Sequence, residues 1–285
     1  MDEVRAALRL HVERLAATPR NVDHYRALLR AERYIAEQLK RAGYTAVAQE
    51  YDAAGFRVAN VEAERRGSMR PERLIVIGAH YDSIGLSPGA NDNASGVAAM
   101  LELARLHASA PQAAATVRFV AFVNEEPPYF MTDGMGSLVY ARRMASRGER
   151  AAAMISLETI GYYSDERGSQ RYPAPFDRVL PDRGNFIAMV SNFASVRLLV
   201  TTAWAFRRAS SLRVIASPAP ESIPGVGWSD HWSFWQQGCA AMMVTDTAPY
   251  RYPHYHAQSD TPDKLDYERM SRVVIGISAA IRALM

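Results

Sequence analysis

Two histidines and a surplus of carboxylates stand at separated points of this 285-residue chain: His80 with Asp82, Asp92, the pair Glu125-Glu126, Glu158, and His256. Imidazoles mixed with carboxylates make a nitrogen and oxygen donor set suited to zinc and, less selectively, to cobalt or manganese. Charge favours two ions over one. With Asp92 between two Zn²⁺, Glu126 and Glu158 on one ion each and a hydroxide shared, the negative and positive charges cancel, and a neutral cluster can be partly buried at small desolvation cost. His80 and His256 then supply one nitrogen to each ion. Asp82 stands two positions beyond His80, on the same side of an extended chain, where it can accept the second imidazole N–H or brace the site. Glu125 and Glu126 are adjacent and point in different directions from extended backbone. One can bind metal while the other takes the proton from a water whose pKa the metal lowers to about 7.

The elements that must position these residues read as alternating strands and helices. Leu8, Val12 and Leu15, then Leu28, Ala31, Ile35 and Leu39, predict two helices between Val4 and Ala42, broken near Pro19 and ended by Gly43. A β-branched run from Leu74 to Ala79 predicts a buried strand that stops at His80. Further strands are expected over Thr116–Val123, Ala153–Thr159, Phe186–Val190, Leu212–Ile215 and Cys239–Val244. Helices are expected from Ser95 to about His107, from Gly136 to about Ser146, between the strands at Phe186 and Leu212, near Asp230–Gln237, and over Tyr267–Leu284. The Pro-, Gly- and Asp-rich stretch from Tyr163 to Asn185 reads as a long surface loop. This alternation predicts an α/β fold, with a mostly parallel mixed central sheet sandwiched between helices. One unit spanning 1–285 is expected, with N-terminal helices at about 1–42. In such sheets the reactive crevice lies beyond the carboxyl ends of the strands, where His80, Glu125-Glu126 and Glu158 fall.

Composition narrows the class. At 48% hydrophobic and 22% charged, the chain is neither disordered, collagen-like nor a coiled coil. No apolar run approaches the roughly 20 residues of a membrane span. The first 20 residues carry Asp2, Glu3, Arg5, Arg9 and Glu13 and no signal-like apolar core, so the sequence as given is expected in the cytoplasm, or outside the cell if a native signal is missing from it. Net charge is +3, and the 33 basic residues are interleaved with 30 acidic ones, which gives no nucleic-acid footprint. The single cysteine, Cys239, excludes an internal disulfide and is expected as a buried strand thiol. There is no G-x-S-x-G, H-E-x-x-H or G-x-G-x-x-G, against serine hydrolases, single-helix zincins and dinucleotide binders.

Six segments together carry a resemblance: Gly78-Ala79-His80-Tyr81-Asp82-Ser83, Gly89-Ala90-Asn91-Asp92-Asn93-Ala94-Ser95-Gly96, Asn124-Glu125-Glu126, Ser156-Leu157-Glu158-Thr159-Ile160-Gly161, Ser229-Asp230-His231, and Tyr255-His256 followed by Ser259-Asp260-Thr261. In this order the chain resembles the co-catalytic zinc aminopeptidases of peptidase family M28, to which glutaminyl cyclases are related. The resemblance implies the phosphorylase/hydrolase-like fold of zinc exopeptidases and a hydrolase acting on peptides with a free N-terminus. It places His80 and Glu158 on one zinc, Glu126 and His256 on the other, and Asp92 between them. Glu125 takes the part of general base, Asp82 that of partner to His80, and Tyr255 that of an oxyanion-stabilising group. A cis peptide at Asp92-Asn93 is implied too. His256 rather than His254 is the expected ligand from the Asp260-Thr261 spacing. The residues after Glu126, Pro127-Pro128-Tyr129-Phe130, depart from the small residues of many such aminopeptidases and bear on substrate preference. Tyr162, Tyr163, Phe130, Met131, Trp228 and Tyr250 are candidates to line an apolar pocket for the first side chain. The competing readings are a single-zinc glutaminyl cyclase and a non-catalytic peptide-binding relative.

Overall fold

The computed structural model describes residues 1–110, 113–172, 177 and 180–285. Eight strands among them form one sheet: β1 (Ala46–Ala53), β2 (Phe56–Arg65), β3 (Arg70–His80), β4 (Ala115–Phe122), β5 (Ala151–Glu158), β6 (Phe186–Ser191), β7 (Arg213–Pro218) and β8 (Ala241–Thr245). Their order is β1-β2-β4-β3-β5-β8-β6-β7. β4, β3, β5 and β8 run parallel at its centre, β1 and β2 join antiparallel at one side, and β6 meets β8 antiparallel with β7 parallel to it. The expected mixed, mostly parallel α/β sheet is therefore present.

Burial follows from the strand runs. Every residue of β4 is buried, as is β3 from Leu74 onward, because helices cover both faces. Ile75, Ile77 and Ala79 pack with α1 (Asp2–Leu15), α2 (Tyr25–Arg41), α3 (Gly96–Ala108), α5 (Val196–Ala209) and α8 (Tyr267–Leu284) in the larger core. Leu74, Val76 and Phe122 face the smaller core beneath α4 (Gly136–Ser146) and α6 (His231–Trp235). A Cβ at Gly78 would lie 2.3 Å from the Phe122 ring, so only glycine lets that ring cross β3. α7 (Ala248–Arg251) is a single turn after β8.

The two N-terminal helices, the central strands and α8 stand where periodicity puts them. The β1–β2 hairpin is additional. Its two-residue turn, Ala54-Gly55, has positive φ at both positions (52° and 86°), the geometry that suits the right-handed twist of paired strands. Cys239 is half-buried just ahead of β8, not inside the strand. In the loop expected over 163–185, residues 173–176 and 178–179 lie outside the described residues. The remainder is tied back by Ser164 N–H donating to Gly184 O and Gln170 N–H to Asp182 O.

Candidate active site

The parallel strands end at one edge, and the chemistry collects there. His80 is the last residue of β3, Glu125-Glu126 follow β4, Glu158 ends β5, and His256 comes after β8. Asp92 sits in the wide turn Ala90–Ser95 that leads into α3, and the Asp92–Asn93 peptide is cis. Non-glycine residues in left-handed conformation cluster here: Asn124 (φ 58°) past β4, Thr159 (φ 45°) past β5, Thr247 (φ 69°) past β8, and His256 (φ 58°) itself. Such residues cost of order 1–3 kcal/mol each and turn the chain sharply where functional groups must be aimed.

Two donor groups result, sharing Asp92. Asp92 Oδ1 is 3.2 Å from His80 Nε2, which is 3.4 Å from Glu158 Oε2. Asp92 Oδ2 is 3.2 Å from His256 Nε2, which is 3.5 Å from Glu126 Oε2. Each carboxylate oxygen of Asp92 thus faces a different group. Glu125 Oε2 lies 3.8 Å from His80 Nε2, beside the first group but outside its closest contacts.

The bracing reaches further than the sequence reveals. Asp82 lies 3.4 Å from His80 Nδ1, and its two oxygens also accept the main-chain N–H groups of Glu125 and Glu126, both at 3.1 Å. One carboxylate therefore fixes the glutamate pair as well as facing the histidine. Ser229, a member of the Ser229-Asp230-His231 segment, donates its hydroxyl to Glu158 Oε2 at 2.8 Å. Asn93 donates to Leu157 O and accepts from Gly96 N–H and Thr159 N–H, tying the Asp92 turn to the end of β5. Asp260 accepts from the N–H groups of Asn91 (2.8 Å) and Asp92 (3.1 Å).

The electrostatics call for cations. His80, Asp82, Asp92, Glu125, Glu126, Glu158 and Asp230 are all buried. Among the described residues, both ring nitrogens of His80, Glu126 Oε1 and both oxygens of Asp230 meet no hydrogen-bond partner. Burial, reinforced by Glu158, Asp230 and Asp92, pushes the Glu125 carboxyl well above the usual range. Burial with Asp92 and Glu125 does the same to Glu126, and burial raises Glu158. Burial lifts Asp230 to about 7. Burial also works against the Asp92 carboxylate, but His256 and His80 prevail and hold it below its ordinary value. Orphaned imidazole nitrogens facing crowded carboxylates fit a zinc-type donor set.

Beside this cage opens an apolar cleft. Glu158 and Tyr255 line it at the cage end, and Phe186, Ala188, Ile215, Met243, Trp228 and Tyr250 form much of its wall. Because β6 runs against β8, with Ala188 opposite Thr245, the start of β6 flanks the ends of the central strands and walls the cleft. Trp228 and Tyr250, two of the candidate lining residues, border this cleft. Tyr162 does not line the cleft. Its ring lies against Tyr252, centroids 4.9 Å apart, and its N–H donates to Asp246, both turning it toward the scaffold. Tyr163 is buried with its hydroxyl on Ile160 O, and Phe130 and Met131 also lie away from the cleft wall. Tyr255 stacks on His256 at 3.8 Å, and burial followed by Asp92, Glu126 and Glu158 raises its phenol, keeping it a proton-bearing donor. His231 serves the wall: its Nε2 pairs with Val226 O at 2.8 Å, and its ring meets Trp235 edge-on. His254 reaches Ser259 instead of the donor groups.

Comparison with known proteins identifies the family and the fold. Residues 60–281 match the model of peptidase family M28, and the chain belongs to that family. It is 41% identical over 269 residues to YfbL of Escherichia coli (strain K12), covering 91% of this chain and 81% of that one. It is 30% identical to a probable leucine aminopeptidase of Arthroderma otae over 72% of this chain, spanning about half (52%) of the fungal protein. The fold resembles the aminopeptidase from Aneurinibacillus sp. strain AM-1, with a TM-score of 0.73 at 18% identity over 97% of this chain and 93% of that one. Family and fold make the chain an M28-type zinc metallopeptidase scaffold. Among the described residues, no helix is long and apolar enough to cross a membrane.

Proposed function

We propose that this chain is a zinc-dependent aminopeptidase with two zinc ions, a hydrolase that removes N-terminal residues bearing apolar side chains. The observation that supports it is the pair of donor groups sharing Asp92, joined at Glu158 to an apolar cleft. His80 and Glu158 would hold one zinc, Glu126 and His256 the other, with Asp92 between. Bound zinc supplies Lewis acidity toward the scissile carbonyl and acidifies water.

The chain's own groups do the rest. Glu125, adjacent to the first donor group and raised by burial, takes a proton from the attacking water and returns it to the leaving amine. Tyr255 keeps its phenolic proton and offers it to the oxygen that becomes negative as the carbonyl is attacked. Glu158 borders both cage and cleft, so the free α-ammonium of a substrate meets carboxylate where its first side chain enters apolar surroundings. An acylated terminus loses that charge, which restricts cleavage to free chain ends. Asp82 keeps the Glu125 and Glu126 backbones from shifting. The whole 1–285 chain, N-terminal helices included, is taken as one catalytic unit.

The test is a panel of aminoacyl and N-acetylated peptides assayed with and without zinc. Cleavage of free Leu- or Phe-terminated peptides, with none of the acetylated forms, is expected. Conversion of N-terminal glutamine to a pyroglutamyl terminus, with ammonia released and one bound zinc, would contradict it and favour a cyclase.

A further inference from the structure

Arg20 lies between α1 and α2, before the segment that matches the family model, and its side chain is almost wholly buried (1% exposed). Among the described residues its guanidinium pairs with no carboxylate. It donates instead to main-chain carbonyls: Nε to Tyr81 O at 2.6 Å, Nη2 to Gly89 O at 2.8 Å, and Nη1 to Pro88 O with a longer contact to Leu15 O. Tyr81 directly follows His80, and Gly89 comes three residues before Asp92. The fork therefore grips both ends of the connection between two cage residues.

The neighbouring bonds tighten this grip. Arg20 N–H donates to Ser83 Oγ, Ser83 N–H donates to Arg20 O, and Asn21 Nδ2 donates to Ser83 O and Gly85 O. At Gly89 (φ 63°) a Cβ would meet Asp92 O at 2.4 Å and Arg20 Nη1 at 3.2 Å, so chain, arginine and turn are in close contact. From the far side Asp260 takes the N–H groups of Asn91 and Asp92. The guanidinium holds the carbonyls of this loop, and the Asp260 carboxyl oxygens hold its amides. Burying a guanidinium whose direct partners are carbonyls, with the carboxylates of Asp260, Asp82, Asp92 and Glu126 acting only from a distance, is expensive unless the geometry it fixes is needed.

We propose that Arg20 is a positioning residue for the cage: its planar fork sets the separation of His80 and Asp92 and thereby the affinity for zinc. This rests on the zinc reading above. Lysine would keep the charge but not the rigid spread of donors that spans Tyr81 to Gly89.

Zinc affinity by chelator competition, and thermal unfolding in chelator and in saturating zinc, are to be measured for wild type, Arg20→Lys and Arg20→Gln. Both variants should bind zinc about 10- to 100-fold more weakly, the range of groups that orient metal ligands from behind. Arg20→Lys should lie nearer to Arg20→Gln than to wild type, and the rise in Tm on adding zinc should shrink in both. Wild-type affinity in the variants, with Tm lowered equally with and without zinc, would show a merely structural residue and overturn the proposal. So would full recovery by Arg20→Lys. If Arg20→Gln does not fold, Arg20→Lys and Ser83→Ala decide on the same readouts. Wild-type protein that takes up no zinc would overturn the functional reading and this proposal together, whereas equal uptake by wild type and variants overturns only the latter.

Discussion

The cage and the cleft beside it are built on different terms. The cage's donors stand at or just past the ends of the parallel strands or in the turn into α3, and carboxylate, amide and hydroxyl groups of Asp82, Asn93, Ser229 and Asp260 fix its parts through hydrogen bonds. The cleft is walled by β6, β7 and segments near Val226 and Tyr250, chiefly through apolar contact. Hydrogen bonds are directional and hold a geometry closely, whereas apolar contact tolerates changes of shape at similar volume. On the proposed function, reaction and selectivity should therefore be separable: the cage should accept almost no change, and the cleft should accept many.

The largest effect that would break this contrast comes from Asp92. Asp92→Ala should remove zinc from both donor groups and leave no measurable turnover, read by metal analysis alongside peptide assay. Full retention of two ions in that variant would show that Asp92 is not shared. Glu125→Gln comes next, with turnover down at least ~10²-fold while zinc content stays at the wild-type level, the scale of a positioned general base.

In the cleft the expected effects are smaller and selective. Ala188→Phe fills the wall beside β8, and kcat/KM for Leu- or Phe-terminated peptides should fall about tenfold while Ala-terminated peptides change little, as expected for a few methylene equivalents of apolar contact. Equal losses on all substrates would mean that the cleft and cage are coupled. The last effect is on folding rather than turnover and concerns the stability of the wall. Burial holds His231 down to about 4 from 6.5, so between those values the unfolded chain binds the extra proton. Its contribution is fully present above 6.5 and is lost as pH falls toward 4, by up to about 3 kcal/mol. Buried His107, also lowered to about 4 by burial with help from Arg282 and Arg65, acts in the same sense. Urea unfolding of metal-free protein across pH 7 to 4 should give a flatter profile for His231→Gln than for wild type.

The same contrast decides what the sequence made legible. His80, Glu158 and the glutamate pair stand out because each interrupts or ends an apolar run, and strand ends on a parallel sheet share one edge. Asp260 and Ser229 are visible as motif members, but their partners lie 168 and 71 residues away, and a side chain that accepts from main-chain N–H leaves no periodic trace. The β1–β2 hairpin escapes because Ala54-Gly55 is a weak turn signal and Ala46-Val47-Ala48 alternates little. Tyr162 illustrates the limit at the cleft: an aromatic residue near the site reads as lining, but only its neighbour Tyr252 decides which way the ring turns.

The sharing of Asp92 is tested most directly by an anomalous difference map at the zinc edge from crystals of the zinc-loaded protein. Two peaks are expected, one among His80, Asp92 and Glu158 and one among Asp92, Glu126 and His256. A single peak, or peaks away from Asp92, would contradict the account.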